Sequence, residues 1–325
     1  MDNDLIKNYP EAGIAKIEEI DDNTSIKKIF NLIDSGKRVV DFGCATGYFA
    51  QLLMSKGCKV TGVEINPDAA KSAEEYCEEV IVADLDFVSI PDILKHEHFD
   101  VAIFGDVLEH LRNPWQVLRD VKQILKQDGY IVASIPNMAH GAIRLALLQG
   151  RFDYMELGIL DNTHLRFFTR ESVENLFEDS GYLINLIERT QLPIFTDIPW
   201  VPKVNRDNFD EKILKVVENS PESDTLQFIL KAIPETTEGK YNQLRQRYSN
   251  LSQEFERSQS QLQQTQAEFE RSQSQLQYNH SELERTKSQL QEKQLMIAAM
   301  ESSKFWKLRK GWFNVKSALG LKSHD

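Results

Sequence analysis

The stretch VVDFGCATGYFA, residues 39–50, decides the expected fold of this 325-residue chain. It joins a β-rich run to a helical pattern through a turn that contains Gly43 and Gly47. The two glycines let the backbone turn tightly and approach a ligand closely, and the following helix N-terminus offers unsatisfied N–H groups. The segment VTGVEIN then places Glu64 at the end of the next strand, where a carboxylate can accept hydrogen bonds from both ribose hydroxyls. These features predict a nucleotide-binding βαβ unit.

Short β-rich runs alternate with helical patterns over residues 37–235. The predicted strands are Arg38–Asp41, Lys59–Val63, Val80–Val82, Phe99–Phe104 and Tyr130–Ser134, followed by two near Tyr182–Glu188 and Asp224–Ile233. The predicted helices are Tyr48–Lys56, Pro67–Cys77, Pro114–Lys126 and Arg170–Ser180. Strands separated by helices of about 10–15 residues predict βαβ units and an α/β, doubly wound, mostly parallel sheet. Residues 1–36 look helical, and we expect an N-terminal helical cap over one face of that sheet.

Composition and charge exclude several classes of protein. The three cysteines, Cys44, Cys58 and Cys77, lack metal-ligand spacing, which argues against a disulfide scaffold or a zinc ribbon. A formal net charge of −12 disfavours nucleic acid as a partner. The N-terminal residues are acidic without an apolar core, and no run approaches the roughly 18 apolar residues of a membrane span. We therefore expect a cytoplasmic protein.

A fourteen-residue repeat occupies residues 241–303. The sequence EFERSQSQLQ occurs at 254–263 and again at 268–277. An apolar residue recurs at every seventh position, and these seam residues are Phe255, Leu262, Phe269, Leu276, Leu283, Leu290 and Ile297. Such a seam predicts a long helix that forms a coiled coil, by self-association or with a partner helix. The companion heptad positions are mostly polar, so a solvated or disordered glutamine-rich tract is the alternative.

Residues 304–325 form a basic, aromatic, amphipathic tail. From residue 301 onward, six basic side chains stand against two acidic ones. Phe305, Trp306, Trp312 and Phe313 are interleaved with the basic residues. Such a segment fits an orientation flat on an anionic lipid surface, which predicts a peripheral contact at the inner membrane surface. Packing of the aromatic side chains against a partner helix or the globular domain is an equal alternative.

The spacing D-x-G-x-A-x-G, formed by Asp41, Gly43, Ala45 and Gly47, departs from the dinucleotide pattern G-x-G-x-x-G and disfavours a nicotinamide-binding domain. It resembles motif I of the class I S-adenosylmethionine-dependent methyltransferases, in which a glycine usually stands where this chain has Ala45. This resemblance implies a Rossmann-like sheet of seven strands with an antiparallel last strand. It also implies S-adenosylmethionine as the cofactor.

The resemblance continues through the segments FDVAIFGDVLEHLRNP (99–114) and LKQDGYIVASIPN (125–137) and covers about residues 30–234. It implies a methyltransferase domain at residues 37–235. The cofactor-binding residues that it implies are Asp41, Gly43, Ala45, Gly47, Glu64, Asp84 and Asp106. Asp84, which follows the third strand, is placed to meet an adenine amino group.

Methyl transfer from a sulfonium is an in-line displacement, so much of the catalysis is positioning, and a hydroxyl acceptor must also lose its proton. The segments GDVLEHL and DNTHLRFFTRESV carry candidate groups for this step. We predict His110 and His164 as catalytic residues on the acceptor side.

The same histidines belong to a possible metal site. A helix that starts after Phe104 would put Asp106, Glu109 and His110 on one face. Together with His164 these residues predict a site for Mg²⁺, Mn²⁺, Zn²⁺ or Fe²⁺. The set resembles that of the metal-dependent small-RNA 2′-O-methyltransferases and, more loosely, of the ubiquinone-pathway O-methyltransferases. A His110 that lines the pocket or acts as a base without a metal is the alternative.

Three functions are consistent with these features. The first is O-methylation of a hydroxyl on a sugar, a glycan or a related small molecule. The glycan is suggested because the coil and tail resemble extensions found beside enzymes of bacterial polysaccharide biosynthesis. The second is a degenerate methyltransferase-fold scaffold that acts through its coiled coil. The third is a metal-dependent RNA 2′-O-methyltransferase, which the acidic charge disfavours.

Overall fold

The computed structural model of the chain describes residues 16–94 and 98–319, without the side chains of residues 237–244, 246, 247 and 250. The chain divides into two compact units between Tyr241 and Asn242. Residues 1–15 of the predicted helical cap and the last six residues of the predicted tail lie outside the described residues. The described part of the cap contains a 3₁₀ turn at Ile17–Glu19 and helix α1 at Ser25–Leu32.

The first unit contains a seven-stranded sheet. Its strands are β1 (Arg38–Phe42), β2 (Lys59–Glu64), β3 (Glu79–Val82), β4 (Phe99–Gly105), β5 (Leu125–Pro136), β6 (Tyr182–Gln191) and β7 (Thr225–Pro234). They lie in the order β3-β2-β1-β4-β5-β7-β6. The pairs among β1 to β5 are parallel, whereas β7 runs antiparallel to both β5 and β6. The predicted seven-stranded, mostly parallel sheet with an antiparallel last strand is confirmed.

Helices cover both faces of this sheet. They are α1, α2 (Tyr48–Met54), α3 (Pro67–Ala73), α4 (Ile90–Ile93), α5 (Pro114–Val121) and α7 (Arg170–Asp179), whereas α6 (Gly141–Leu148) and α8 (Glu211–Glu218) pack together in a third cluster. Successive strand residues point to opposite faces. Accordingly, Val40 and Phe42 of β1 pack in a cluster with α4, α5 and α7. Val39 packs in a second cluster with α1 and α2. The predicted doubly wound α/β fold is confirmed.

Polar side chains set the ends of two of these helices. The Asn113 side chain accepts a hydrogen bond from Gln116 N, and Pro114 occupies the first turn of α5. Such a start is favourable because proline lacks the N–H that would otherwise lie unsatisfied there. Thr169 begins α7 with a capping box that involves Ser172, and Gly181 follows that helix at φ 80°. Both helices are therefore fixed at their N-termini by side-chain caps.

The sequence prediction was wrong at the end of α5. The helix was expected to reach Lys126, but it ends at Val121, and β5 already begins at Leu125. Leu125 pairs with Phe99, and a register shift then brings Tyr130 opposite Val101. The residues between Leu125 and Tyr130 form a bulge. This segment therefore pairs as part of a strand, although its composition favours a helix. Helices α4, α6 and α8 were not predicted.

The repeat region is helical. Helix α9 spans Thr237–Ser302, and a second helix, α10, spans Lys304–Ala318 after the N-cap Ser303. The seam side chains from Phe255 to Ile297 are between 52% and 71% exposed. The long helix is thus confirmed, and its assembly into a coiled coil stays a prediction. Among the described residues, no helix combines the length and the apolar character that a membrane span requires.

Candidate active site

Strand ends at one edge of the sheet bring four acidic residues into one region. Phe42 at the end of β1 pairs with Val63 of β2 and with Phe104 of β4, so the three strands end nearly level. The strand order reverses between β1 and β4, and open α/β sheets bind their ligands in the crevice at such a point. The acidic residues at or just beyond the ends of β1, β2, β3 and β4 are Asp41, Glu64, Asp84 and Asp106, respectively.

The loop between β1 and α2 has three residues at positive φ, namely Gly43 at 74°, Ala45 at 49° and Gly47 at 80°. Ala45 adopts this left-handed conformation without being glycine, and such strain is concentrated at functional sites. A Cβ on Gly43 would lie 2.6 Å from Val107 Cγ2, and one on Gly47 would lie 2.8 Å from Ala73 Cα. The glycines therefore allow the loop to pack against neighbouring segments of the protein, a reason that the sequence did not reveal.

Glu64 is buried and holds this loop in place. Its Oε2 accepts a hydrogen bond from Ala45 N, and its Oε1 accepts one from Asn66 N, both at 2.9 Å. A carboxylate offers about four acceptor positions, so it can accept ribose hydroxyls beside two backbone N–H groups. The predicted role of Glu64 toward a ribose stays a prediction.

Asp41 and Tyr48 are electrostatically coupled at the centre of this edge. Burial and the neighbouring charge of Glu64 raise the pKa of Asp41 to about 7. Burial, together with the charges of Asp41 and Asp106, raises the pKa of the Tyr48 phenol. Tyr48 was not predicted as a site residue. The signal was its place directly after Gly47, which makes it the first residue of α2.

Asp106 lies just beyond β4 at φ 55° and is held by neighbouring strands. Its Oδ1 accepts hydrogen bonds from Ser134 Oγ and from Gln227 Nε2, each at 2.8 Å. Asp84 follows β3 and is half-buried, and its Oδ1 accepts a hydrogen bond from Asp86 N at 3.0 Å. Both aspartates thus lie at the edge where the sequence placed them.

The helix expected directly after Phe104 is wrong. The chain instead forms a 3₁₀ turn at Leu108–His110, because Asp106 at positive φ cannot continue from β4 into an α-helix. Glu109 and His110 consequently do not share a helical face with Asp106. Val107 lies over Gly43, which brings this turn against the motif loop.

Glu109, His110 and His164 meet in one cluster. One potential ligand atom from each of the three residues lies within 4.8 Å of the other two. The His110 and His164 ring centroids are 4.7 Å apart, with an angle of 70° between the planes. The backbone N–H groups of Leu165 and Arg166 both donate to Glu109 O, which fixes His164 beside the turn. Asp106, predicted as a fourth ligand, is not part of this group of described residues.

Hydrogen bonds assign the protonated nitrogen of each imidazole in the cluster. Thr163 Oγ1 donates its single proton to Asp161 Oδ1 at 2.6 Å, so it accepts from His110 Nδ1 at 3.1 Å. His164 Nδ1 donates to Ile159 O at 3.0 Å. In the neutral rings the lone pair is therefore on Nε2 of each histidine. Asp161 and Thr163 were not predicted as site residues, because their role depends on a contact across more than fifty positions.

His140 has a structural role. It is fully buried, its Nδ1 accepts a hydrogen bond from Ala142 N as the N-cap of α6, and its Nε2 donates to Leu192 O at 2.9 Å. Burial lowers the pKa of His140, which keeps the ring neutral. It is therefore distinct in kind from the two histidines of the cluster.

Comparison with known proteins gives matches in the first unit. A family model described as a methyltransferase domain matches residues 17–185. The ubiquinone biosynthesis O-methyltransferase of Glaesserella parasuis is 30% identical over 125 residues, which cover 36% of this chain and 52% of that protein. The protein of the same name from Haemophilus ducreyi is 26% identical over 170 residues, or 45% and 72% of the two chains. The chain spans about half the length of the first of these relatives.

Solved structures are also similar to part of the chain. A SAM dependent methyltransferase from Archaeoglobus fulgidus has a TM-score of 0.45 at 19% identity and covers 65% of this chain and 91% of its own. A magnesium protoporphyrin IX methyltransferase from Synechocystis, crystallised with bound SAH, has a TM-score of 0.41 at 16% identity. It covers 62% of this chain and 75% of its own.

Proposed function

Since this chain belongs to the family of S-adenosylmethionine-dependent methyltransferase domains, we propose that its acceptor is a hydroxyl group on a sugar, a glycan or a related small molecule. The observation that carries the proposal is the cluster of His110 and His164 with the buried carboxylate of Glu109, in which Nε2 of His164 lies 4.0 Å from Glu109 Oε1. Proton removal from a hydroxyl needs a base with a pKa near the working pH, and imidazole meets that need. The relatives named ubiquinone biosynthesis O-methyltransferase support transfer to oxygen.

The residues at the edge of the sheet fit the cofactor. Glu64 offers acceptor oxygens to ribose hydroxyls, and Asp84 offers them to an adenine amino group. Asp41 lies beside the strained loop at Ala45, where an ionised carboxylate would stabilise a cationic ligand. When bound, S-adenosylmethionine supplies an electrophilic methyl group. The chain's own contribution is to hold that group and the acceptor oxygen in line.

His110 is the better placed general base of the two histidines. Its Nδ1–H is held by Thr163 Oγ1, which in turn donates to Asp161. This series of hydrogen bonds orients the His110 ring, so that Nε2 is the atom that receives the acceptor's proton. A carboxylate at the end of such a hydrogen-bonded series stabilises the imidazolium that forms, as in other oriented histidine bases. His164 is fixed in a comparable way by Ile159 O and lies against the His110 ring.

The same cluster offers a site for a divalent cation. Glu109 supplies a carboxylate, and His110 and His164 supply imidazole nitrogens, a donor set that suits Zn²⁺, Mn²⁺ or Fe²⁺. A cation there would act as a Lewis acid toward an acceptor hydroxyl. The hydrogen bonds that His110 Nδ1 donates to Thr163 Oγ1 and His164 Nδ1 donates to Ile159 O would then orient the two imidazoles toward the cation.

Two other functions are less well supported. A degenerate scaffold would not need the strained loop at Ala45 or its bond to Glu64, both of which are intact. An RNA acceptor would need basic side chains along its path, and the chain has a formal net charge of −12.

The test is transfer of a labelled methyl group from S-adenosylmethionine to a panel of acceptors. The panel contains nucleotide sugars, lipid-linked glycans, quinol precursors and RNA, each with and without added Mg²⁺, Mn²⁺ or Zn²⁺. We expect label on a hydroxyl oxygen of a non-RNA acceptor, with transfer reduced in His110→Ala. Label on nitrogen, on sulfur or on RNA alone would contradict the proposed acceptor class.

A further inference from the structure

Helix α10 carries an apolar face that is exposed along its length. Phe305, Leu308, Trp312 and Val315 of the helix and Leu319 at its C-cap follow one another at steps of three and four residues. At 100° per residue these five side chains fall within an arc of about 80° on one side of the helix. Their exposed fractions lie between 54% and 78%. The second unit therefore presents a continuous apolar strip to solvent.

The charges of α10 are of one sign. Residues 303–319 contain five basic side chains and no acidic one, in a chain whose formal net charge is −12. The basic residues are Lys304, Lys307, Arg309, Lys310 and Lys316. On the same helical projection, Lys304 borders the apolar strip on one side and Lys316 borders it on the other. The strip thus has a positive rim on both edges.

Two further aromatic side chains of α10 lie on the opposite side. Trp306 and Phe313 project about 100° or more away from the middle of the strip. The Arg309 guanidinium lies 5.5 Å from the Trp306 ring centroid and 5.7 Å from that of Phe313. These rings are therefore engaged by a cation within the helix, and they provide a matched control for the strip.

We propose that α10 binds the surface of an anionic lipid bilayer. The helix lies in the plane of the interface, with the apolar strip at the acyl boundary and the lysine rim at the level of the lipid phosphates. Its fifteen residues reach about 22 Å, which is shorter than the roughly 30 Å hydrocarbon core, so a spanning orientation is excluded. This inference does not depend on the acceptor.

Charge complementarity favours an anionic lipid surface over a second copy of α10 or a nucleic acid as the binding partner of the strip. A second copy of α10 would bring five positive charges against five, which opposes self-association through this strip. Nucleic acid would satisfy the lysines, but it would leave the five apolar side chains exposed to water. An anionic bilayer satisfies both features at once. Because the rest of the chain is acidic, α10 is also the part that such a surface attracts.

The test uses the full chain and sedimenting vesicles of phosphatidylcholine, with or without phosphatidylglycerol. We expect binding only to the anionic vesicles, weakened by raised salt. The double variant Leu308→Ser, Trp312→Ser should lose at least tenfold in affinity because the strip loses buried apolar area. The control Trp306→Ser, Phe313→Ser should bind within about threefold of the unchanged chain, because those rings lie off the strip.

A charge variant completes the design. Replacing the rim residues Lys304 and Lys316 by glutamine should weaken binding roughly 25-fold, since each basic residue near an anionic surface contributes about a fivefold factor. Equal binding to neutral and anionic vesicles would overturn the proposal, as would an equal loss in the control variant. Loss of oligomer in the Leu308→Ser, Trp312→Ser variant, without any vesicle binding by the unchanged chain, would assign the strip to a protein partner instead.

Discussion

Glu109 Oε1 lies 4.0 Å from Nε2 of His164, and the side chains of the two residues are 1% and 5% exposed. A buried carboxylate is costly unless a positive or hydrogen-bonding group faces it. The two residues are held opposite one another because Leu165 N and Arg166 N donate to the backbone oxygen of Glu109. The acid, the two imidazoles and the segment after β5 therefore form one structural unit.

Replacing either cluster histidine should reduce turnover far more than cofactor affinity. His110→Asn and His164→Asn should each slow transfer by about 10²–10⁴-fold, the usual contribution of a positioned base. Affinity for S-adenosylmethionine should change by less than about threefold, because neither ring lies among the acids at the ends of β1 and β2. Single-turnover rates and titration calorimetry measure the two effects separately.

His140→Asn is the matched control for these variants. His140 caps α6 through Ala142 N and is fully buried, so its loss should lower the free energy of unfolding by about 1 kcal/mol or more. Turnover of the folded fraction should stay near that of the unchanged protein. Equal losses of turnover in all three variants would mean that the cluster acts only through stability.

A metal at the cluster would add a distinct requirement. Chelation should then abolish transfer reversibly, and Mn²⁺, Zn²⁺ or Fe²⁺ should restore it. Glu109→Gln should copy the histidine variants, since it removes the only carboxylate of the group. Asp106→Asn should leave the dependence on metal unchanged, whatever it does to cofactor binding, because Asp106 lies outside the cluster and is held by Ser134 and Gln227. A rate that chelator leaves unchanged, together with inactive histidine variants, would assign the cluster to proton transfer alone.

The pKa of Asp41 predicts how stability depends on pH. Burial and the Glu64 charge raise that pKa to about 7, so the folded state holds a proton that the unfolded state releases above pH 4. Stability should therefore fall as the pH rises from about 4 to 7 and then level off. Asp41→Asn should remove this slope. Urea unfolding measures the free energy of unfolding of both proteins. The difference between these two free energies should change by up to about 4 kcal/mol between pH 4 and pH 8.

The contribution of Asp41 can be separated from other titrating groups by that comparison. Both proteins share every other carboxylate and histidine, so the difference of their unfolding curves isolates one site. Parallel curves across the whole pH range would show that Asp41 ionises at its ordinary pKa.

Helix α9 should assemble through its seam. Truncation after Thr236 should leave a monomer that binds S-adenosylmethionine, because β7 ends at Pro234 and completes the sheet. The full chain should sediment as an oligomer. Phe269→Gln with Leu276→Gln should dissociate it, since each removes an apolar contribution of roughly 1.5–3 kcal/mol. Tyr278→Gln, which is exposed but off the seam, is the control. A full chain that is monomeric would contradict this prediction.

The parts of the fold that depend on local pattern could be predicted. The parallel strands, the antiparallel β7 and the long α9 follow from periodicity, glycine placement and the family resemblance. The bulge before Tyr130 could not be predicted from the sequence. There the pairing of β5 with β4, which is distant in sequence, overrides a local composition that favours a helix. The 3₁₀ turn at Leu108–His110 was missed for a similar reason, since the positive φ of Asp106 is set by Ser134 and Gln227.

Some residues of the candidate site could likewise be predicted from the sequence, and others could not. Glu64 and the motif loop could be placed because their spacing along one βαβ unit fixes their geometry. The orientation of His110 could not be placed, since it rests on Thr163 and Asp161, which reach it from a segment more than fifty residues away. Tyr48 lies beside the predicted motif, but only its coupling to Asp41 and Asp106 marks it as part of the site.

We expect S-adenosylmethionine to bind at the edge of the sheet from Asp41 to Glu64. Titration calorimetry of the full chain with S-adenosylmethionine and with S-adenosylhomocysteine tests it most directly, with Glu64→Ala as the variant. We predict one site per chain for each ligand, and at least a tenfold loss in the variant, because ribose hydroxyls would lose a charge-assisted acceptor worth about 1.5–3 kcal/mol. No saturable binding, or equal affinity in Glu64→Ala, would contradict the claim.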